Sequence, residues 1–323
     1  MKRALITGIT GFVGSHLAEH LLSKDYEVYG TIRRRSRTDN IDHIIDKIKL
    51  VEADITDTHS TFKLMEEVKP DSVFHLAAQS FVPTSWHAPA ETLNVNIIGT
   101  LNILEAARKS GNDIKIQIAG SSEEYGKVYP DEVPVKETNP LRPMSPYGVS
   151  KVAADKLALQ YNISYGLKTV VTRAFNHTGP RRGEVFVTST FAKQIALIEK
   201  GKQEPIINHG NLEAIRDFTD VRDVVKAYEF SLTKCKFGEV YNICSGVGRK
   251  IQDVLDILID LSKVKVSTKL DARRVRPSDV EILQGDCTKF REQTGWKSTI
   301  PFEKTLEDLL NYWRERYRSP KST

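Results

Sequence analysis

The stretch Arg3-Ala-Leu-Ile-Thr-Gly8-Ile-Thr-Gly11-Phe-Val-Gly14-Ser-His-Leu17 decides how the rest of the chain is read. Arg3–Thr7 is a short apolar run, the pattern of a buried parallel strand. Gly8, Gly11 and Gly14 follow directly as Gly-x-x-Gly-x-x-Gly. Leu17, Ala18, Leu21 and Leu22 then recur at helix spacing. Glycines in that order allow a tight turn and let the backbone approach a pyrophosphate held at a helix N-terminus. A glycine triplet alone equally fits a turn without ligand; strand before and helix after tip the reading toward a dinucleotide.

Outward from this unit, strand and helix patterns alternate. Residues 27–32, 47–53, 71–76 and 114–119 read as strands. Residues 60–68, 92–109 and 145–164 read as helices. The alternation predicts a doubly wound parallel α/β sheet. After residue 175 the pattern loosens, with helices expected at 191–200, 221–232, 251–261 and 306–316. The expected division is residues 1–175 for the sheet domain and 176–323 for a smaller substrate domain, with segments crossing between the two.

The second strand ends Thr31-Ile-Arg33-Arg34-Arg35-Ser36. An NAD site places a carboxylate there for the ribose hydroxyls. Arginine forks and a serine hydroxyl suit a 2′-phosphate instead, so Arg33, Arg34 and Ser36 favour NADP over NAD. Asp54 and Ile55 end the third strand and suit an adenine contact. His75-Leu76-Ala77-Ala78 ends the fourth, and His75 reads as a buried structural histidine.

Tyr147 and Lys151 stand one helical turn apart in Ser145-Pro-Tyr-Gly-Val-Ser-Lys151, so both face one way. An ammonium beside a phenol favours the phenolate and would lower its pKa toward working pH. Such a phenol can exchange a proton with a sugar hydroxyl.

Bulk properties narrow the field. The chain has 323 residues, 40% hydrophobic and 28% charged, which is ordinary globular composition. A net charge of +5 without an aromatic-rich basic stripe points away from nucleic acid. Cys235, Cys244 and Cys287 are widely spaced and suggest neither a metal site nor a disulfide framework. No signal peptide or membrane-spanning pattern is read, so a cytoplasmic protein is expected.

On Thr7-Gly-x-x-Gly-x-x-Gly14, His75-Leu-Ala-Ala78, Ser121 and Tyr147-x-x-x-Lys151, the chain resembles extended short-chain dehydrogenases/reductases. Thr10, the Arg33–Arg35 run, Ser121-x-Glu123, Asn176-His177, Pro180-Arg-Arg-Gly183 and Arg216-Asp217 resemble the nucleotide-sugar branch. That branch contains GDP-mannose 4,6-dehydratases and GDP-4-keto-6-deoxy-mannose reductases. The resemblance implies a Rossmann-type domain that binds NADP and a C-terminal domain that binds a GDP-sugar. It implies cofactor contacts from Gly8, Thr10, Gly11, Phe12, Val13, Gly14, Arg33, Arg34, Ser36, Asp54, Ile55, Leu76, Ala77, Ala78, Tyr147 and Lys151. Ser121 would hold the reacting hydroxyl, Tyr147 would act as acid/base, and Lys151 would set the Tyr147 pKa. Substrate contacts would come from Ser121, Glu123, Tyr147, Thr84, Ser85, Asn176, Lys193, Asn211, Arg216, Arg276 and Asp279.

Glu123 discriminates between reactions. Ketone reduction needs Ser121, Tyr147 and Lys151 only. A 4,6-dehydration also needs a base at C5 and an acid for the departing C6 hydroxyl, which one carboxylate can supply. Related reductases carry a glutamate here too. Glu124, one residue on, is expected to point away into solvent. Two departures weaken the match to dehydratases: Phe12-Val13 replaces their Gln-Asp, and residues 216–223 look more like reductases and epimerases. The leading expectation is a GDP-mannose 4,6-dehydratase, with the reductase or an epimerase as alternatives and a catalytically silent NADP sensor as the rival from another class. A homodimer or homotetramer is the expected assembly.

Overall fold

The computed structural model describes residues 1–274 and 280–318. Its strands in chain order begin with β1 (Arg3–Thr7), β2 (Glu27–Ile32), β3 (Lys49–Glu52), β4 (Ser72–His75), β5 (Lys115–Ser121) and β6 (Lys168–Ala174). They continue with β7 (Asn176–Thr178), β8 (Ile206–His209), β9 (Ile215–Asp220), β10 (Glu239–Ile243), β11 (Gly248–Lys250), β12 (Ser267–Leu270) and β13 (Ile282–Leu283). The helices are α1 (Phe12–Leu22), α2 (Thr58–Val68), α3 (Val82–His87), α4 (Pro89–Leu93), α5 (Gly99–Lys109) and α6 (Pro146–Tyr165). Then come α7 (Val187–Glu199), α8 (Val221–Thr233), α9 (Ile251–Asp260), α10 (Thr288–Thr294) and α11 (Phe302–Arg316).

Seven strands form one parallel sheet in the order β10-β6-β5-β4-β1-β2-β3. Both faces are covered, which is why its strands read as apolar runs rather than alternating ones. Ala4 and Ile6 of β1 pack with Leu17 and Leu21 of α1 and Val224 and Tyr228 of α8 on one face. Leu5 between them packs with Leu64 of α2, Ile103 of α5 and Ala158 of α6 on the other. Each fully buried leucine or isoleucine is worth about 1.5–3 kcal/mol of transfer free energy. A second core joins α7, α9 and α11 through Phe191, Ile195, Leu258, Leu306 and Trp313. It lies beside a smaller sheet in which β9 pairs with β7, β11 and β13.

Local signals set the functional helix. Ser145 caps α6 by accepting from Gly148 N at 3.0 Å, Pro146 occupies its first turn, and Gly166 ends it at φ +70°.

Two features depart from the sequence reading. The sheet is completed by β6 and β10, whose apolar runs are broken by polar residues. In β6 those polar residues are buried with partners: Gln117 Nε2 donates to Thr172 Oγ1 at 2.7 Å, and Thr169 Oγ1 donates to Ala158 O at 2.7 Å. The helix expected over 92–109 is instead α4, a π turn over Asn94–Ile98 and α5. Cys235, Cys244 and Cys287 are all buried and free. Among the described residues no helix is long and apolar enough to cross a membrane.

Asp223 ties the approach to α11 onto α8. Its carboxylate accepts from Thr299 N at 2.7 Å, Ile300 N at 2.9 Å and Thr299 Oγ1 at 3.0 Å, and its carbonyl accepts from Trp296 Nε1 at 2.9 Å. Replacing it with alanine leaves the bond from Trp296 to the backbone carbonyl intact but strands the partly buried donors of Thr299 and Ile300, so Asp223→Ala should lower stability by about 1–3 kcal/mol. Denaturant unfolding followed by circular dichroism measures this; a loss below about 1 kcal/mol would contradict the hub role.

Candidate active site

The glycine turn is sterically constrained throughout. Gly8 adopts φ +75° and donates its N–H to Thr31 Oγ1 at 3.1 Å. A Cβ at Gly14 would lie 2.3 Å from Gly8 O, so only glycine lets α1 start this close to the strand end. Gly11 N donates to Gly8 O at 3.0 Å, and no side chain caps α1. Its first backbone N–H groups therefore remain available to an anion. Thr7 Oγ1 accepts from Leu76 N and Ala77 N, each at 3.1 Å, and docks the end of β4 beside the turn. Val13 packs on the core, and Asn40 Nδ2 donates to Thr10 O at 3.0 Å. Arg33, Arg34 and Arg35 are exposed after β2, and the Arg34 and Arg35 guanidinium groups bond to no described residue. Ser36 Oγ accepts from Arg33 N at 2.9 Å. Asp54 is exposed and accepts from Thr56 at 2.9 and 2.8 Å, while Ile55 is buried against Gly99. Ala78 is half-buried just past β4.

Ser121 ends β5 next to Tyr147 and Lys151 on α6; all three are buried. Lys151 Nζ donates to Ala119 O at 2.8 Å and lies 5.9 Å from the Tyr147 ring centroid. Burial pushes the Lys151 ammonium down to about 8, opposed by the charge of Glu124. Burial also pushes the Tyr147 phenol above its ordinary value; the Ser121 hydroxyl opposes this, and the charges of Glu123 and Glu124 add to it. The lowering of Tyr147 by Lys151 expected from spacing is not what the site shows: the cation that lowers it is Arg182, and burial outweighs that, because removing a phenolate from water costs more than the nearby charges return.

His75 is structural, as expected. Thr100 Oγ1 donates to Asn96 O at 2.7 Å, so it accepts from His75 Nε2 at 3.1 Å, and Thr7 Oγ1 donates to His75 Nδ1 at 2.9 Å. Burial, reinforced by Lys151, holds the ring neutral, with its pKa at about 3. Asn96, in the π turn, donates to Ser150 Oγ at 2.9 Å, and Ser150 Oγ donates to Tyr147 O at 2.6 Å.

Glu124 overturns its expectation of a solvated acid. It is fully buried, its carboxyl accepting from Ser121 N at 2.8 Å and Arg173 Nε at 3.1 Å. The reason is local: Ser122–Glu124 is a 3-10 turn, not an extended segment, and it swings Glu124 inward. Glu123 is half-buried and acts electrostatically on Tyr147.

On the substrate side, Asn176 lies on β7, which pairs with β9. Arg216 lies on β9 and donates to Ile215 O at 2.9 Å, and Asn211 accepts from Glu213 N at 2.9 Å. Lys193 is paired with Glu184. Thr84 is half-buried on α3; Ser85 is fully buried, with its hydroxyl donating to Val82 O at 2.7 Å. Arg276 and Asp279 lie outside the described residues.

Sequence reasoning missed Arg182. Its guanidinium stacks on Phe186 at 3.4 Å and Phe12 at 5.0 Å, and its side chain bonds to no described residue. Burial lowers its pKa to about 10, opposed by Tyr147 and Tyr228. It is a desolvated cation on which the charge of Tyr147 bears, and the aromatic pair that holds it, Phe12 and Phe186, was legible only in space. His177 stacks on Phe12 with ring centroids 6.0 Å apart; burial, then Arg182, keeps it neutral at about 4.

A doubly wound parallel sheet whose strand ends present a glycine turn beside Ser121, Tyr147 and Lys151 defines a short-chain dehydrogenase/reductase, and the chain is an enzyme of that class. The model of the GDP-mannose 4,6 dehydratase family matches residues 5–309, and the chain belongs to that family. It is 40% identical to GDP-mannose 4,6 dehydratase 2 of Arabidopsis thaliana, over 96% of this chain and 86% of the relative. It is 35% identical to GDP-6-deoxy-D-mannose reductase of Pseudomonas aeruginosa, over 98% of this chain and 99% of the relative. The solved structure of RMD from Pseudomonas aeruginosa complexed with NADPH superposes with a TM-score of 0.86 at 33% identity, covering 98% of this chain and 100% of that one.

Gly14→Ala should force the turn apart by its contact with Gly8 O. The expected outcome is a loss of about 1–3 kcal/mol in stability and at least a tenfold weaker NADPH affinity by fluorescence titration. Wild-type affinity in a folded variant would show that the turn is not the cradle.

Proposed function

We propose that the protein is an NADP-dependent GDP-mannose 4,6-dehydratase. The carrying observation is Glu123: it is half-buried two residues past Ser121, its charge acts on Tyr147, and it is the second acid–base group that a dehydration requires. The cofactor fits the residues present. The turn from Gly8 to Gly14 packs too closely on its own backbone to admit a Cβ at Gly14, α1 begins without a side-chain cap, and the Arg34 and Arg35 guanidinium groups after β2 bond to no described residue. The glycine turn would hold the pyrophosphate, the arginines and Ser36 the 2′-phosphate, and Lys151 the nicotinamide ribose. When bound, NADP supplies the hydride acceptor at C4 and the donor at C6, so its redox state is unchanged after turnover.

The chain's own residues handle protons. Tyr147 takes the C4 hydroxyl proton while Ser121 hydrogen-bonds the same oxygen. The resulting ketone acidifies C5–H, and Glu123 takes that proton. Glu123 then gives it to the C6 oxygen, which departs as water; after C6 is reduced, C5 takes up one solvent proton, which balances the C4 hydroxyl proton that Tyr147 passes to solvent. Arg182 is the cation that offsets part of the cost of ionising the buried phenol, and the Lys151 ammonium lies 5.9 Å from its ring centroid. Asn176, Arg216, Lys193 and Arg276 are the proposed diphosphate and sugar contacts, with a GDP-sugar as substrate. We place the enzyme in the cytoplasm as a homodimer or homotetramer; exposed Val149 and Ile163 along α6 support assembly.

Reduction of GDP-4-keto-6-deoxy-mannose is the second reading. Phe12-Val13 and the likeness to the Pseudomonas reductase over nearly all of both chains favour it.

Two experiments follow. Wild type should bind NADPH more tightly than NADH, and Arg34→Ala should narrow that gap by about tenfold, one charged hydrogen-bonded contact; tighter NADH binding would overturn the NADP assignment. In deuterated water with GDP-mannose and trace NADP, the product should be a 4-keto-6-deoxy sugar carrying deuterium at C5, read by mass and NMR. Glu123→Gln should block that product, and Tyr147→Phe should cost on the order of a hundredfold in rate or more. Inert GDP-mannose, together with one-for-one NADPH oxidation by the 4-keto sugar, would install the reductase instead.

A further inference from the structure

Behind Ser121 lies a buried charge cluster that the reaction does not use. Glu124 and Asp155 are both fully buried and share one guanidinium, that of Arg173. Arg173 Nε donates to Glu124 at 3.1 Å and to Asp155 at 2.9 Å; its Nη1 donates to Tyr125 Oη at 3.1 Å and to Glu137 O at 3.3 Å. Gly120 makes room for this, since a Cβ there would lie 2.7 Å from Glu124 Oε1.

Two ionised carboxylates on one cation leave a net buried negative charge, which the interior disfavours. One proton resolves it. The two carboxylates converge on one nitrogen, Arg173 Nε donating to Glu124 Oε2 at 3.1 Å and to Asp155 Oδ2 at 2.9 Å, and Asp155 Oδ1 is buried without a hydrogen-bond donor. Lys156 Nζ, 3.4 Å from that oxygen, belongs to an exposed side chain and makes an ion pair rather than a hydrogen bond. A proton on Glu124 removes the repulsion between the two carboxylates.

We infer that Glu124 is a positioning residue for the catalytic set: it fixes the Ser121 backbone and, once ionised, its carboxylate behind Ser121 keeps the Lys151 ammonium charged above neutral pH. The geometric part is the bond from Ser121 N to Glu124 Oε1 at 2.8 Å, paired with Glu123 N donating to Ser121 Oγ at 3.2 Å. The electrostatic part is mutual. Burial, and then the charge of Asp155, raises Glu124 to about 8, while burial lowers Lys151 to about 8 and Glu124 opposes that fall. An acid and a base brought to one value by burial favour the ionised pair, because each charge stabilises the other.

The other groups facing them do not compete in that range. His75, from β4, is held neutral; Tyr147 on α6 and Tyr228 on α8 stay protonated through burial; Tyr125 is raised by burial; and Arg173 on β6 stays charged. Glu137 reaches the cluster through its carbonyl to Arg173.

The inference rests on Tyr147 and Lys151 being the proton-handling pair, and its test separates the two claims. The full-length protein, labelled with lysine carrying carbon-13 at Cε, is titrated by NMR, with Lys151→Met assigning the resonance. In wild type Lys151 should titrate well below the ordinary value of about 10.4. In Glu124→Gln, which keeps an oxygen for Ser121 N–H but no charge, that titration should fall by a further ~0.5–1 unit, a threefold to tenfold change in acid constant. The alkaline limb of kcat should move with it, while kcat at pH 7 stays within about threefold. Glu124→Leu, lacking the oxygen as well, should lose about tenfold or more in kcat with KM within about twofold. An unmoved Lys151 titration in folded Glu124→Gln overturns the inference, as does an ordinary Lys151 pKa in wild type, which needs no variant to fold. A shifted titration with an unmoved kcat limb supports the coupling and counts against Lys151 in the chemistry.

Discussion

One hydroxyl, Thr7 Oγ1, joins the two halves of the catalytic end. It accepts the backbone N–H groups of Leu76 and Ala77 and donates to His75. From His75 the hydrogen bonds run to Thr100, through Thr100 to Asn96, and from Asn96 through Ser150 to the carbonyl of Tyr147. The glycine turn on β1 and the start of α6 are thereby held by one buried polar chain. Such a chain stabilises the fold only when every member is satisfied, and that demand fixes the neutral tautomer of His75.

Burial is the second organising force, and it acts in opposite directions on acids and bases. It drives Tyr147 and Glu124 upward and Lys151 and Arg182 downward. A site built this way weakens each group's preference for its charged form, and a nearby ion of either sign changes their ionisation strongly. The stacked guanidinium of Arg182 and the raised carboxyl of Glu124 behind Ser121 are two outcomes of the same desolvation.

The sequence disclosed what depends on backbone sterics and on short spacing. The Gly8–Gly14 turn was legible because only glycine tolerates φ +75° at Gly8 and the close approach at Gly14. Tyr147 and Lys151 were legible because four residues make one helical turn. What escaped depends on neighbours distant along the chain. The polar residues of β6 look unsuited to a core strand until Gln117 and Ala158 are seen beside them. Glu124 looked solvated because a 3-10 turn cannot be told from an extended segment without its hydrogen bonds, and its guanidinium partner comes from β6. The sign of the Tyr147 shift was misjudged because spacing reveals a neighbouring charge but not the loss of water.

The late arrival of β10 in the sheet carries a consequence for biosynthesis. β6 has β5 on one side and β10 on the other, with register from Val170↔Glu239 to Ala174↔Ile243. Until Glu239–Ile243 leaves the ribosome, β6 is an open edge with unpaired backbone groups, a template for pairing with other chains. Pairing over so long a sequence separation raises the contact order, so the nucleotide-binding half gains its final form late rather than first. The nascent chain is therefore most in need of chaperone shielding while α7 through α8 are being made.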